Sequence, residues 1–223
     1  MDNYIIKELN IENYELLTDI FTIYQNCFDI SIKIPQKEIR KYFLNNIYII
    51  NYIIDVTNNN ICGFCMHMFI KKINAIQIDY VCINKQYQNK GLAKFLFNHI
   101  FTNYCSTSST NVPDKILTLE CEDHLIKFYE KLGCTLIPIK YEVGCICHLN
   151  IMFKSAHKMH LIRYYRIVNA IKSENDYNTN YISLCTEQYM NKQKMNFFEM
   201  LNKLLIIYKI KLLMCLKFQK KIL

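Results

Sequence analysis

Tryptophan is absent from this chain of 223 residues, and glycine and proline occur only four and three times. So little glycine and proline excludes a collagen-like or low-complexity chain, and each copy is expected to serve a backbone purpose. Charged residues make up 21% of the chain and hydrophobic residues 52%, a balance that argues against wholesale disorder. The length suits one domain of about 150 residues plus a remainder.

No secretory segment precedes the eleven cysteines, because the first residues, MDNYIIKELN, are charged and strand-like. Most cysteines lie in apolar strand-like runs, such as ICGFCMHMFI. The pair Cys62 and Cys65 and the cluster Cys145, Cys147 and His148 make poor zinc sites, because neighbours on a strand alternate between faces. We therefore predict reduced core cysteines in a cytoplasmic protein, and no metal.

The formal charge of +8 belongs to the last part of the chain. Residues 156–223 hold 12 lysines and arginines against 4 acids, whereas residues 1–155 hold 15 of each kind. The first part therefore needs no nucleic-acid partner to explain its charge. We predict a folded domain over residues 1–155 and a basic, largely helical extension over residues 156–223.

Hydrophobic periodicity predicts a mixed α/β fold of the order β-α-α-β-β-β-α-β-α-β-β. A strand over 3–11 is followed by helices over 14–28 and from Pro35, a residue suited to the start of a helix. Three strands then form an antiparallel meander, and the turn signal TNNN joins the first two. Their sequences are IYIINYIIDV, ICGFCMHMFI and AIQIDYVCI.

The second half of the domain alternates helices and strands. A helix over 89–103 precedes the strand KILTLEC, and a shorter helix over 123–132 precedes the closing strands TLIPIKY and CICHLNIMF. Acids at the start of the shorter helix and Gly133 after its end fit the capping rules. Its predicted buried face consists of Leu125, Phe128, Tyr129 and Leu132.

The turn between the strand ending at Ile83 and the helix that follows has the composition of a phosphate site. Free backbone N–H groups at a helix N-terminus lie at the positive end of its dipole and can bind a diphosphate. Gly91 and Ala93 have no side chain that would keep a phosphate from this backbone.

At this turn the chain resembles the GNAT superfamily of N-acetyltransferases, whose acetyl-CoA loop reads Arg/Gln-x-x-Gly-x-Gly/Ala. Gln88, Gly91 and Ala93 match that pattern. A second motif, FYEKLGC over residues 128–134, is similar to the family phrase that follows the next strand. The resemblance covers residues 3–153 and implies the GNAT fold.

The resemblance implies direct transfer of acetyl from acetyl-CoA to a primary amine in a ternary complex. Tyr129 would protonate the departing thiolate, and Asp79 or, alternatively, Glu120 would accept the proton of the amine. A backbone N–H near Val81 or Cys82 would polarise the thioester. Asp79 is expected to share a strand face with Val81 and Ile83. Contacts to the cofactor are expected from Val81, Cys82, Ile83, Gln88, Asn89, Lys90, Gly91, Leu92, Ala93, Lys94 and Lys131.

The resemblance leaves the acceptor open among a small amine, an amino-sugar phosphate and a protein amine. The segment from TLEC to KFYEKLG is similar to glucosamine-6-phosphate N-acetyltransferases. However, the acidic pair of that subfamily is Asp79-Tyr80 here, so one carboxylate is missing. Glu122 also stands where family members often have Asn, and it would repel CoA phosphates.

The extension leaves several partners open. Its last apolar stretch, over 196–218, is interrupted by lysines and makes a poor membrane span. A helix there could dock on its own domain or on a second subunit as a homodimer. It could instead lie on an anionic membrane, because six lysines and no acid follow Glu199. Nucleic acid is a weaker candidate partner.

These alternatives bear on function and location. A catalytically silent GNAT-fold adaptor and a membrane-attached acyltransferase are the rivals of the soluble enzyme. The predicted location is cytoplasmic, or peripheral to a membrane if the extension binds lipid. Heavy use of Asn, Ile, Lys and Tyr is typical of the AT-rich genome of a large DNA virus or a parasite. A viral origin would place the protein in the host-cell cytoplasm or the virion.

Overall fold

The computed structural model describes residues 2–28, 33–105, 115–143, 147–155 and 182–183. Its element order up to residue 155 is the predicted one. Four α-helices are present in these ranges: α1 (Leu17–Cys27), α2 (Gln36–Leu44), α3 (Leu92–Ile100) and α4 (Ile126–Lys131). Short 3-10 helices precede α1 and α4, over Ile11–Leu16 and Asp123–Leu125, and a π-helical turn, Phe101–Cys105, follows α3.

Eight strands form one sheet in the order β1-β2-β3-β4-β5-β7-β6-β8. Of the described strands, only β4 and β5 pair in parallel, because the crossover through α3 joins them. The hairpin predicted at TNNN joins β2 and β3, as expected. The strand bounds are β1 (Tyr4–Glu8), β2 (Tyr48–Asp55), β3 (Asn60–Ile70), β4 (Ala75–Ile83), β5 (Ile116–Cys121), β6 (Thr135–Val143), β7 (Cys147–Lys154) and β8 (Ile182–Ser183).

Two hydrophobic cores lie on opposite faces of the sheet. Helices α1 and α2 bury Ile20, Tyr24 and Ile39 against one face. Helices α3 and α4 bury Leu96 and Tyr129 against the other face. This two-sided packing is the layered arrangement expected of a mixed sheet covered by helices.

A β-bulge in β4 changes which residues face each core. In the pairing with β3, Met66 lies opposite Tyr80 and His67 lies opposite Ile78, so Asp79 is the extra residue. Ile78 packs in the α3 and α4 core, whereas Tyr80 packs in the α1 and α2 core. The predicted shared face of Asp79, Val81 and Ile83 is therefore wrong, because the bulge interrupts the period of two.

Two further predictions are corrected by packing. Phe128, predicted to be buried, is 37% exposed, and Ile126 takes its place in the core with Tyr129 and Leu132. The cysteines are not all reduced, because a disulfide joins Cys27 at the end of α1 to Cys82 on β4. Among the described residues, four other cysteines are free and buried, as predicted: Cys62, Cys65, Cys121 and Cys134. Cys105 is buried as well.

The predicted helical extension lies outside the described residues, apart from its strand β8. Ile182 and Ser183 pair with Tyr141 and Lys140 of β6, so this part of the extension belongs to the sheet. Within the described ranges, no helix is long and apolar enough to cross a membrane.

Candidate active site

A cleft opens where β4 and β5 separate. The two strands pair from Ala75 with Ile116 to Ile78 with Leu119, and the recorded pairing stops there. Beyond that point lies a cavity of about 1070 Å³, bordered by α1, β4, β5 and α4. The bulge residue Asp79 stands at the position where the strands part. Both strands thus present polar groups to one opening.

Backbone groups of β4 face this cleft at defined positions. The Asn84 N–H donates to the Cys62 carbonyl over 2.7 Å, which fixes the phase of the antiparallel ladder with β3. Along an antiparallel pair of strands, hydrogen-bonded and non-hydrogen-bonded residue pairs alternate. The N–H group of Cys82 therefore points to β3, and the N–H groups of Val81 and Ile83 point away from β3, toward the cleft. The Ile83 carbonyl accordingly accepts a bond from the Gln88 side chain over 3.1 Å. Of the two expected thioester donors, Val81 is the one that faces the cleft.

The loop before α3 has the backbone of a phosphate site. Gly91 is the N-cap of α3 in the left-handed region, with φ of 77°. Asn89 is also left-handed, with φ of 61°. The Gly91 carbonyl accepts the N–H of Phe95 over 3.0 Å, which is the first hydrogen bond of this nine-residue helix. The backbone N–H groups before Phe95 therefore have no carbonyl of a preceding helical turn to bond. Glycine suits this conformation because it has no Cβ to clash.

Side chains of the predicted cofactor residues divide into two groups. Val81, Cys82, Ile83 and Gln88 line the cleft, and Lys85, which the sequence reasoning missed, lines it as well. Lys90 instead contacts the hydroxyl of Tyr4 at 3.4 Å and lies 5.0 Å from the ring centroid of Tyr87. The cleft-lining residues do not include Asn89, Lys90, Gly91, Leu92, Ala93, Lys94 or Lys131.

Several of these residues can contribute only in particular ways. Leu92 has its side chain in the core, so it can offer a ligand only its backbone N–H. Ala93 packs partly against the same core. Lys94 and Lys131 are exposed.

Asp79 forms a partly buried polar contact with a residue of β2, two strands away. The hydroxyl of Tyr48 donates to Asp79 Oδ2 over 2.5 Å. Burial raises the pKa of the Asp79 carboxyl to about 6, and hydrogen bonds from Tyr48 and Gln77 partly oppose that rise. Gln77 is itself held by Thr118 of β5, whose hydroxyl donates to Gln77 Oε1 over 2.6 Å. A carboxylate in this state can exchange a proton near neutral pH.

Tyr129 reaches the same cleft from α4 on the opposite side of the sheet. It lines the cavity and is only 5% exposed, and burial raises the pKa of its phenol well above the ordinary value. Its backbone carbonyl accepts the N–H of Cys134 over 3.0 Å as the chain turns at Gly133, which has φ of 84°. The helix end fixes the backbone at Tyr129, and burial keeps its hydroxyl protonated at neutral pH.

Further acids border the cleft on β5 and after it. Glu120 lies on β5 and Glu122 follows it, and both line the cavity. Glu122 is exposed and lies 3.3 Å from Nδ1 of His124, another lining residue that the sequence reasoning missed. The cleft therefore presents carboxylates from two diverging strands.

The disulfide belongs to the wall of this cleft. Cys27 and Cys82 both line the cavity, and their Cα atoms are 6.4 Å apart. The bond therefore ties the end of α1 directly to the strand whose backbone faces the cleft. Among the described residues, no group of three or more His, Cys, Asp or Glu side chains converges as a metal site.

Comparisons with known proteins agree with this architecture. Residues 47–133 match the family model of the acetyltransferase (GNAT) domain. That stretch contains β2 to α4, and hence Asp79, Glu120 and Tyr129. A search of curated protein sequences finds no significant match.

Three solved structures illustrate the likeness in fold. A GNAT-family protein of Bacteroides thetaiotaomicron is 14% identical, with a TM-score of 0.59 over 77% of this chain and 97% of the other. Spermidine N-acetyltransferase of Vibrio cholerae, solved with CoA and spermine, is 15% identical, with a TM-score of 0.53 over 69% and 95%. The ribosomal-protein-S18-alanine N-acetyltransferase of Escherichia coli is 17% identical, with a TM-score of 0.51 over 70% and 96%.

At these identities the structures establish the fold and nothing finer. The match to the family model adds evidence from the sequence itself, over the central residues 47–133. The chain therefore has the GNAT fold, and its residues 47–133 correspond to the GNAT acetyltransferase domain.

Proposed function

We propose that this protein is an N-acetyltransferase that moves an acetyl group from acetyl-CoA directly to a primary amine in a ternary complex. The observation that carries the proposal is the cleft between β4 and β5. It combines backbone N–H groups of β4 that face away from β3 with proton-exchanging side chains, and the loop after β4 leads from Gln88 in its wall to the glycine-capped start of α3. Two of the solved structures with a similar fold are named for the amine that they acetylate, which is spermidine in one and a protein alanine in the other.

Acetyl-CoA would lie along β4 with its diphosphate at the start of α3. The amides after Gly91 would bind the phosphate oxygens, since helix N-termini attract anions. The pantetheine arm would run beside Val81 and Ile83, whose N–H groups face the cleft. The thioester carbonyl would then accept a hydrogen bond from Val81, which stabilises the oxyanion that develops during attack.

The chemistry needs one base and one acid. An ammonium group entering the cleft would give a proton to the Asp79 carboxylate, which leaves a neutral amine. The amine nitrogen attacks the thioester carbon, the C–S bond breaks, and the thiolate takes a proton from Tyr129. The nitrogen then loses its second proton, which restores the Tyr129 hydroxyl, and Asp79 returns its own proton to solvent. Glu120 is the alternative base, because it also lines the cleft from the neighbouring strand. The products are the acetylated amine and free CoA.

The charge of the cleft favours a cationic acceptor. Asp79, Glu120 and Glu122 line it from β4 and from the end of β5, and they outnumber the two lysines of the lining, Lys33 and Lys85. Carboxylates attract a polyamine or another cationic amine, whereas they repel the phosphate of an amino-sugar phosphate. We therefore place spermidine ahead of glucosamine 6-phosphate as a test substrate, with a peptide bearing an N-terminal alanine as the protein amine.

A thiol-release assay with these three amines tests the proposal. We expect acetyl-CoA to release CoA only when an accepted amine is present, and mass spectrometry to show the acetylated product. Asp79→Asn should abolish turnover if Asp79 is the base, whereas Glu120→Gln should do so if Glu120 is. A silent adaptor would bind acetyl-CoA and release no thiol with any amine, which would overturn the proposal.

A further inference from the structure

Tyr48 lies at the start of β2, far from the cofactor loop in sequence and outside every motif of the fold family noted above. Its side chain is 2% exposed, and its ring packs edge-on against Tyr42 with centroids 5.4 Å apart. A buried phenol requires a hydrogen-bond partner. The partner of Tyr48 is Asp79, whose Oδ2 is 2.5 Å from the hydroxyl.

The strand register explains how two residues 31 positions apart meet. Tyr48 lies opposite Met68 on β3, and Met68 lies opposite Gln77 on β4. Gln77 and Asp79 are two residues apart on β4 and so share a face, and Asp79 is the extra residue of the bulge. Asp79 therefore lies on the face that holds Tyr48, and its carboxyl reaches the hydroxyl across the intervening strand.

Three titratable groups that interact with Asp79 are uncharged at neutral pH, whereas Glu120, Lys33 and Lys85 line the same cleft with it. Tyr24 of α1 and Tyr80 of β4 interact with Asp79 electrostatically, and burial raises the pKa of both phenols. Cys65 of β3 also interacts with it, and burial raises the pKa of that thiol. A charged carboxylate in these surroundings depends on hydrogen-bond donors, and Tyr48 donates the short bond.

We propose that Tyr48 is a positioning residue that fixes the orientation of the Asp79 carboxylate and stabilises its charged form for proton transfer from the amine. The inference rests on the proposed function, in which Asp79 is the base. Tyr48 touches neither substrate nor cofactor in this account. Its effect passes entirely through one carboxyl oxygen of Asp79.

The test compares Tyr48→Phe with wild type in two pH titrations. The first follows the Asp79 carboxyl carbon by NMR in protein labelled with ¹³C at aspartate Cγ, with Asp79→Asn identifying the signal. The second follows kcat/KM for spermidine acetylation by thiol release. Loss of the Tyr48 hydroxyl should raise the midpoint of both titrations by about one pH unit, because its hydrogen bond favours the charged form of the Asp79 carboxyl.

Tyr52→Phe is the matched control. Tyr52 is another buried tyrosine of β2, 1% exposed, and its hydroxyl accepts a bond from Asn13 rather than touching Asp79. Its replacement should leave both midpoints in place. Should Tyr48→Phe fail to fold, 3-fluorotyrosine at the position of Tyr48 keeps the shape with a more acidic hydroxyl. That stronger donor should move the midpoints downward.

The two readouts separate this inference from the proposed function. An Asp79→Asn variant with full activity would defeat the assignment of Asp79 as base, and the inference would fall with it. If Asp79→Asn is inactive but the titration midpoint of Asp79 is the same in Tyr48→Phe as in wild type, only the role of Tyr48 is defeated. Equal shifts in Tyr48→Phe and Tyr52→Phe would also defeat it, because they would show a structural effect of any tyrosine in β2.

Discussion

Asp79 has a protonation equilibrium that links the active site to the stability of the fold. Burial raises the pKa of its carboxyl from 3.8 to about 6 in the folded protein. The folded state therefore binds a proton more tightly than the unfolded chain. Stability is highest below the unfolded pKa and falls as the pH rises from about 4 to about 6, by about 3 kcal/mol in total. The site thus carries a cost in stability at neutral pH.

Replacement by the uncharged amide should remove that cost. We expect Asp79→Asn to be more stable than wild type at pH 8, by up to about 3 kcal/mol, and the difference to shrink toward pH 4. Urea unfolding followed by circular dichroism at both pH values measures this. An equal difference at both pH values would contradict the assignment of a raised pKa to Asp79.

Asp55 is a matched contrast on β2. The Thr57 hydroxyl and N–H donate to its carboxylate and hold its pKa below the ordinary value. Its stabilising contribution is present above the unfolded pKa and is lost as the pH falls. Asp55→Asn should therefore be less stable than wild type at pH 8, the opposite sign to Asp79→Asn.

Tyr129 provides a prediction about the acid. Tyr129→Phe removes only the hydroxyl and retains the ring that packs 6.0 Å from Phe97. We expect kcat to fall by about 100-fold or more, because a positioned proton donor contributes at least that factor. Acetyl-CoA affinity, measured by calorimetry, should stay within a factor of about three of wild type. An unchanged kcat would exclude Tyr129 as the donor to the thiolate.

At the scale of elements, the disulfide fixes α1 to the central strand. Cys27 and Cys82 are 55 residues apart in sequence, so the bond closes a long loop in the unfolded chain. Such a loop loses enough conformational entropy to stabilise the fold by about 4 kcal/mol. The same bond holds the wall of the cleft that α1 forms.

The corresponding prediction concerns Cys27→Ser. Under oxidising conditions this variant should unfold with a free energy about 4 kcal/mol below that of wild type. Adding a reductant should lower the free energy of unfolding of wild type by a similar amount and leave that of the variant almost unchanged. A wild-type protein that does not respond to reductant would contradict the disulfide.

The order of elements was predictable because it depends on local periodicity. The run AIQIDYVCI predicted β4 over the residues that form it, Gly91 predicted the start of α3, and the motif at Tyr129 predicted α4. The local sequence pattern does not reveal a bulge, and so the prediction that Asp79 shares a strand face with Val81 and Ile83 was wrong. Tyr48 and the disulfide were missed because their contacts span 31 and 55 residues and depend on strand register.

At the scale of the whole molecule, charge is divided unevenly along the chain. Residues 1–155 are neutral overall, and residues 156–223 carry the formal charge of +8. The domain that contains the cleft therefore has no net positive charge to attract nucleic acid or an anionic membrane over a long range, and such attraction is expected from the extension.

Ion exchange tests this division. At pH 7.5 the full chain should bind a cation exchanger and elute only with added salt, whereas a chain ending at residue 155 should pass through. Circular dichroism of both chains controls for folding. Retention of the shorter chain would show that the fold itself presents a basic surface.

The central claim is that the cleft binds acetyl-CoA through the amides at the start of α3. Gly91→Glu places bulk and negative charge where the diphosphate should lie. Gly133→Glu is the matched control, because Gly133 is also left-handed, with φ of 84°, yet it follows the end of α4 and is not at the start of α3. Calorimetric titration of acetyl-CoA should show binding to wild type and to Gly133→Glu and none to Gly91→Glu. A folded wild-type protein that does not bind acetyl-CoA would contradict the account.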